Sequence, residues 1–352
     1  MNNTTFNKTN PKANGFITLL QNPSCDRLMF STVIGYPIEE LMKEKGHPPR
    51  PISAIAISSG VKFEKSLNKD SGKLLIECLQ SKGCLLQHET EYINVETELS
   101  KRGLKSDDKV KNLVHRFEIT KEYLKKKRLG LAVPNVLSKA VVSFELHNEH
   151  WFLEVDELIQ SKQDAFYSVV EVKSFADRDS KTDKIKIQKA CLQMGLYNKA
   201  LQQYLARHNP AILLKQLGYL IMTKANSNKP SIREIDLKDE LNLISDVQSQ
   251  ISERYHVVLE QIGHQYKLSD ALLKLSTHRT KNCSQCPMYN YCRQEAESLE
   301  LLSQITHDPK FLELQLSLTH LEAANQNDHF VEEVPADLLS TITNTLTQLE
   351  IK

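Results

Sequence analysis

Two short runs, residues 151–159 and 166–173, are rich in β-branched and aromatic side chains and are parted by polar Ser161-Lys-Gln-Asp164. Such runs around turn material predict a β-hairpin. Downstream, Gln193 and Tyr197 stand four apart on a stretch that reads as helical to about residue 208. Residues 218–223 then read as a buried strand, with a turn at 226–230, a partner strand at 231–237 and a long helical region from about 241 to 275. Upstream, residues 65–78 have helical patterning and residues 97–128 read as one or two helices. Pro48-Pro-Arg-Pro51 breaks the chain before them. Residues 1–14 are Asn/Thr-rich and are expected to be a disordered tail. Beyond Cys292, helix-prone segments at 294–305, 309–324 and 335–349 form an acidic extension.

The hairpin has a chemical consequence. Glu171 and Lys173 are two apart, so their side chains leave the sheet on one face. With Asp156 beside them on the neighbouring strand, that face would carry two carboxylates and an ammonium, which is costly inside a core. A hard divalent cation, Mg²⁺ or Mn²⁺, would relieve the cost, because such ions prefer oxygen ligands.

Asp156, then Glu171-x-Lys173, then Gln193-x-x-x-Tyr197 resembles the core of PD-(D/E)XK nucleases in their RecB-like form. The resemblance covers roughly residues 19–295, in motifs rather than continuously. It implies an α/β fold of the restriction-endonuclease-like type, with a mixed central sheet flanked by helices and with helical extensions at both ends. It implies a nuclease domain over residues 15–295, with an extension over 296–352. It also implies a metal-dependent deoxyribonuclease, of exonuclease type, in which Glu64, Asp156, Glu171 and the carbonyl of Val172 hold one or two Mg²⁺ or Mn²⁺ ions. Glu64 is reached by counting four residues from Gly60, the glycine that starts this helix in the family. Taken alone, Glu64 reads equally as a surface residue in a first helical turn. Lys173 would orient the attacking water or stabilise developing charge, with Gln193 and Tyr197 holding the DNA backbone and the position of Lys173. The family often has glycine three residues before the Asp, where this chain has Leu153.

Composition narrows the setting. The 352 residues are 40% hydrophobic and 25% charged, as in an ordinary globular protein. No apolar run approaches the ~18 residues of a membrane span, and the first residues lack the apolar core of a signal peptide. A cytoplasmic protein with no membrane partner is expected. The net charge of +1 hides an asymmetry: residues 101–128 hold eleven Lys/Arg against four Asp/Glu, and residues 293–352 hold three against eleven. The basic run reads either as a solvated face or as a surface for the backbone of DNA, single-stranded or at duplex ends. Residues 181–189 add a second basic segment. Ser71-Gly72-Lys73 lacks the rest of a phosphate-binding P-loop, so a helicase would have to be a separate protein.

Seven cysteines in such a chain suggest metal or redox chemistry rather than structural disulfides. Cys283-x-x-Cys286-x₅-Cys292 supplies three thiolates, one short of a closed site. The Cys286-Pro287 pair resembles RecB-like nucleases that carry an iron–sulfur cluster, those of the AddB type and the exonucleases of CRISPR adaptation. That resemblance implies a 4Fe-4S cluster with Cys25 as its fourth ligand, Cys25-x-Arg27 being similar to their Cys-Pro-Arg entry segment. Two other readings remain open: a Cys₃His zinc site with His278, and replacement of Cys25 by Cys78 or Cys84. Cys191 reads as a core residue. The rivals to an active nuclease are an inactive relative that holds DNA ends within a recombination or defence complex, and an α/β protein with a structural Zn²⁺ site. Recombination repair, CRISPR adaptation and mobile-element processing would each suit a nuclease of this type.

Overall fold

Alternating runs become strands and apolar stripes become helices along most of the chain. The structure, a computed structural model, describes residues 9–297 apart from 12, 49–52, 129–131, 161–165, 209, 211, 212, 226, 228, 263–267, 278 and 279. Three helices come first: α1 (Ala13–Gln21), α2 (Asp26–Ile34) and α3 (Ile38–Glu44). The long α4 (Ala54–Ser81) is followed by strand β1 (Tyr92–Asn94) and helices α5 (Val95–Lys101) and α6 (Lys109–Arg128). Then come β2 (Val136–Leu146), β3 (Glu149–Ile159), β4 (Phe166–Asp177), α7 (Lys184–His208), β5 (Leu213–Lys224) and β6 (Pro230–Asp236). Helices α8 (Lys238–Ile262), α9 (Leu268–Lys274) and α10 (Tyr289–Glu297) complete the described elements.

By their contacts the described residues part into two compact units: a sheet unit within 9–20 and 53–254, and a second unit within 21–48 and 255–297. The sheet unit is mixed α/β. Its six strands lie in chain order, with β1–β2 and β4–β5 parallel and the other neighbours antiparallel. Parallel neighbours need a long crossover, which α5 and α6 supply for the first pair and α7 for the second. On one face Phe63, Leu67, Leu75, Ile76 and Leu79 of α4 pack with Val136, Ile159, Val170, Tyr219 and Ile221. On the other face lies α7, whose buried positions include Ala190, Met194, Leu196, Ala200 and Leu201. The helix approaches the strands so closely at Gly218 that a Cβ there would stand 2.8 Å from Met194 Sδ.

Several boundaries differ from the sequence expectation. Helix α1 begins at Ala13, and Asn10 bonds the backbone of Phe152 through both its amide nitrogen (2.7 Å) and its oxygen (2.8 Å), so residues 10, 13 and 14 are ordered. Helix α4 begins at Ala54, eleven residues before the expected start, and its helical geometry is broken from Lys69 to Gly72. Gly60 therefore lies inside the helix. Strand β2 was not foreseen. The hairpin turn at 161–164, the proline break at 49–51, His278 and the extension beyond 297 lie outside the described residues.

Candidate functional site

The site grows out of a fork in the sheet. Strands β3 and β4 are paired only at Glu157–Val170, Leu158–Val169 and Ile159–Ser168. Past the Glu157–Val170 rung β3 stays with β2 and β4 stays with β5. Asp156 and Glu171 are the first residues beyond it. Across the opening, the Val172 N–H donates to Asp156 Oδ2 at 2.9 Å. Strand β4 then shifts register against β5 between Val172 and Ala176, an irregularity that starts at Lys173.

Glu171 and Lys173 share the face covered by α7, as their spacing requires. The Lys173 ammonium contacts Glu171 Oε1 and donates to Gln193 Oε1 at 3.0 Å. That contact fixes the amide orientation, and Gln193 Nε2 donates to the Tyr197 hydroxyl at 2.6 Å. The structure thus joins Glu171, Lys173, Gln193 and Tyr197 in one line of polar contacts. Tyr197 is buried, and burial raises its pKa well above the ordinary value, so its hydroxyl stays neutral.

Glu64 enters from α4 without touching Asp156 or Glu171 directly. Its carboxylate meets the ammonium of Lys139, which also lies 3.3 Å from Glu154 Oε1 and 3.3 Å from Asp156 Oδ1. Arg116 of α6 adds a second cation, bonding Glu154 Oε2 at 2.7 Å. Lys139, Glu154 and Arg116 were missed in the sequence. Glu154 was within reach, since it stands two residues from Asp156 on the same strand and so on the same face. Lys139 was not, because it sits in unforeseen β2 with a φ of +55°.

Burial, more than any neighbour, raises the pKa of Glu171 from 4.5 to about 8, with Asp156 adding to the rise and Lys173 opposing it. Neither Glu171 oxygen has a hydrogen-bond partner. Its contact with Lys173 is an ion contact, not a formed hydrogen bond. Burial works against the charge on Lys173 and Lys139, but the carboxylates outweigh it and both pKa values are raised, so both remain ammonium ions. Glu157 points to the opposite face, accepts from Ser138 Oγ at 3.1 Å, and is pushed well upward by burial.

The donor set suits a hard cation: four carboxylates around the fork, one of them buried with no hydrogen-bond partner on either oxygen. In the arrangement described, the ammonium groups of Lys139 and Lys173 and the guanidinium of Arg116 contact those four side chains. Among the described residues no three His, Cys, Asp or Glu side chains are gathered tightly enough to hold a metal ion.

In the second unit Cys25, Cys283, Cys286 and Cys292 line one cavity of about 30 Å³ with Leu28, Met288 and Tyr289. None of the four is in a disulfide, nor are Cys78, Cys84 and Cys191. Cys78 and Cys84 belong to the sheet unit, and Cys191 is buried on α7. Arg27, 2% exposed, donates to Cys292 Sγ at 3.5 Å, to the Leu275 carbonyl at 3.3 Å, and to both oxygens of Glu295 at 2.9 and 3.1 Å. A soft four-sulfur donor set with a guanidinium beside one thiol suits an iron–sulfur cluster or Zn²⁺. The thiols share a cavity wall rather than a common centre.

Part of the basic run is neutralised within α5 and α6. Arg102 pairs with Glu98 and Glu122, Lys126 with Glu122, and Lys121 with Glu118. Lys101, Lys105, Lys109, Lys111 and Lys125 are exposed. Among the described residues no helix is long and apolar enough to cross a membrane.

No protein-family profile matches the chain, and no curated protein matches it. Among solved structures it is similar to one described as "Crystal structure of SSO0001", at 13% identity and a TM-score of 0.21, over 50% of this chain and 83% of that one. At that score the likeness carries no argument about fold or function.

Proposed function

We propose that the chain is a metal-dependent deoxyribonuclease with a RecB-like PD-(D/E)XK core, acting as an exonuclease on single-stranded DNA or duplex ends. The observation that carries this reading is the fork. It presents Asp156 and Glu171 together and ties Glu171 to Lys173, Gln193 and Tyr197 by direct contacts. Asp156, Glu171 and the Val172 carbonyl, with Glu64 nearby, would hold Mg²⁺ or Mn²⁺. When bound, the ion supplies a nucleophilic water at neutral pH and offsets charge on the scissile phosphate.

The protein's own part is positional. Lys173 is an ammonium at neutral pH, so it serves as a charged donor toward developing negative charge and not as a general base. Gln193 and Tyr197 hold that donor in place from α7, a rigid helix packed on the sheet. Asp156 is aimed by the Val172 N–H. In the second unit, Cys25, Cys283, Cys286 and Cys292 would hold a 4Fe-4S cluster, with Zn²⁺ as the alternative.

One observation favours a second reading, an inactive relative that holds DNA ends: Lys139 and Lys173 already partner Glu64, Asp156 and Glu171. Anaerobically purified protein incubated with end-labelled single-stranded DNA and Mn²⁺, beside Lys173→Ala and Glu171→Ala, separates the two. An active site of this kind loses about 10²-fold or more in each variant. DNA binding without cleavage under any divalent ion selects the second reading. Cleavage that survives in both variants places the chemistry elsewhere.

A further inference from the structure

Lys139 stands opposite Asp156 on β2, at the one rung that the β2–β3 ladder skips between Ser138–Glu157 and Ala140–Val155. Its φ of +55° is a left-handed conformation that a residue with a Cβ adopts at a cost of about 1–2 kcal/mol. Backbone strain of this kind persists where the surroundings impose it, and it marks places where a side chain must be aimed. Here the aimed group is an ammonium only 13% exposed, set among Glu64, Glu154 and Asp156. Three carboxylate oxygens converging on one positive centre is what a hard divalent cation would ask of the same residues.

We propose that the Lys139 ammonium occupies the place of a divalent cation among Glu64, Glu154 and Asp156, so that Lys139 and metal compete for one position. The inference rests on the metal-dependent reading above and deepens it: Asp156 and Glu64 are common to both ligand sets, and Lys139 would set how readily they accept the ion. Lysine has a flexible four-carbon stem, so the competition is resolved by the side chain swinging out with its charge. Arg116 remains on Glu154 throughout and keeps that carboxylate from repelling its neighbours. In the metal-free protein Lys139 lowers the mutual repulsion of the three carboxylates. On loading, its ammonium is released beside the fork, where a phosphate backbone would be its next partner.

The test is Mn²⁺ binding by the full chain, with free Mn²⁺ read by electron paramagnetic resonance, for wild type and Lys139→Gln. Each is repeated with Asp156→Asn to mark binding that belongs to this site. Lys139→Gln keeps the length of the side chain and removes its charge. It should bind Asp156-dependent Mn²⁺ at least about tenfold more tightly than wild type. Equal or weaker binding overturns the proposal and leaves the carboxylate site standing. No Asp156-dependent binding in either background overturns both the proposal and the metal-dependent reading. If Lys139→Gln does not fold, the wild type answers alone: amine acylation mapped by mass spectrometry should rise at Lys139 when Mn²⁺ is added. Unchanged or reduced labelling there overturns the proposal.

Discussion

Glu171 shows at the scale of one residue how a candidate catalytic position can weaken the fold that holds it. Its carboxyl is fully buried with no hydrogen-bond partner on either oxygen, and burial lifts its pKa from 4.5 to about 8. Between those values the native state keeps a proton that the unfolded chain has released. The associated stability is therefore complete below about pH 4.5 and is lost as the pH rises through about 8. The loss is on the order of a few kcal/mol. Melting temperatures in EDTA should accordingly fall across this interval for wild type. Glu171→Gln, which does not titrate, should remove that decline, so that the two curves separate with rising pH and run parallel above about pH 8. Curves parallel throughout would mean that Glu171 ionises normally within the fold.

At the scale of elements, the end of β4 is held by a clamp on Asp177. Arg233 of β6 contacts both carboxylate oxygens and Ser231 Oγ donates at 2.7 Å, while Thr182, leading into α7, donates at 3.3 Å. Burial pushes the Asp177 carboxyl upward, but Arg233 and then Ser231 outweigh it and hold the group at about 2, against 3.8 ordinarily. A depressed carboxylate contributes stability above its unfolded value, lost as the pH falls from 3.8 through about 2. Arg233→Ala should cost ~1–2 kcal/mol in urea unfolding at neutral pH, discounted for partial exposure, and should move the acid limb toward higher pH. An unchanged acid limb would mean that the clamp is not formed. The hairpin that feeds this strand was legible because β-branched runs around a polar turn leave few alternatives, and spacings of two and four residues paired Glu171 with Lys173 and Gln193 with Tyr197, while the link between the pairs was what the family resemblance implied. Strand β2 was as regular but was not read as one. Lys139 was beyond reach because β2 was not read as a strand; once β2 is paired with β3, Lys139 lies opposite Asp156 and on the same face as Asp156 and Glu154. The start of α4 was misplaced because helical patterning was read only from residue 65, although a serine just ahead of Ala54 favours a helix beginning there.

At the scale of the whole molecule, what the sequence could not show is that the chain divides. The motif order suggested one nuclease domain, but the four candidate cysteines fall within a unit whose described residues come from two distant stretches, 21–48 and 255–297, that Cys25 and Cys283 span across more than 250 residues. Its described elements include α2, α3, α9 and α10, each of seven to nine residues and too short to be stable alone. Polar ties also join the two stretches, among them Arg27 to Glu295 and to the carbonyl of Leu275, Asn282 to the Gln21 carbonyl at 3.1 Å, Ser276 to Asp26 and Thr280 to Asn22. A cluster or metal ion gripping Cys25 and the Cys283–Cys292 segment would join the two stretches at one point, and the unfolded chain would lose the freedom of a very long loop. The sheet unit carries its own two-faced core and needs no such tie. Cys286→Ser in the full chain should therefore lose bound iron and acid-labile sulfide (or zinc, if zinc is the native metal). It should also speed hydrogen exchange in residues 21–48 and 268–297 while leaving strands β2 to β5 protected as in wild type. Equal loss of protection in both units would mean that they fold as one cooperative body. Unchanged exchange in both would mean that the four thiols hold nothing that the fold depends on.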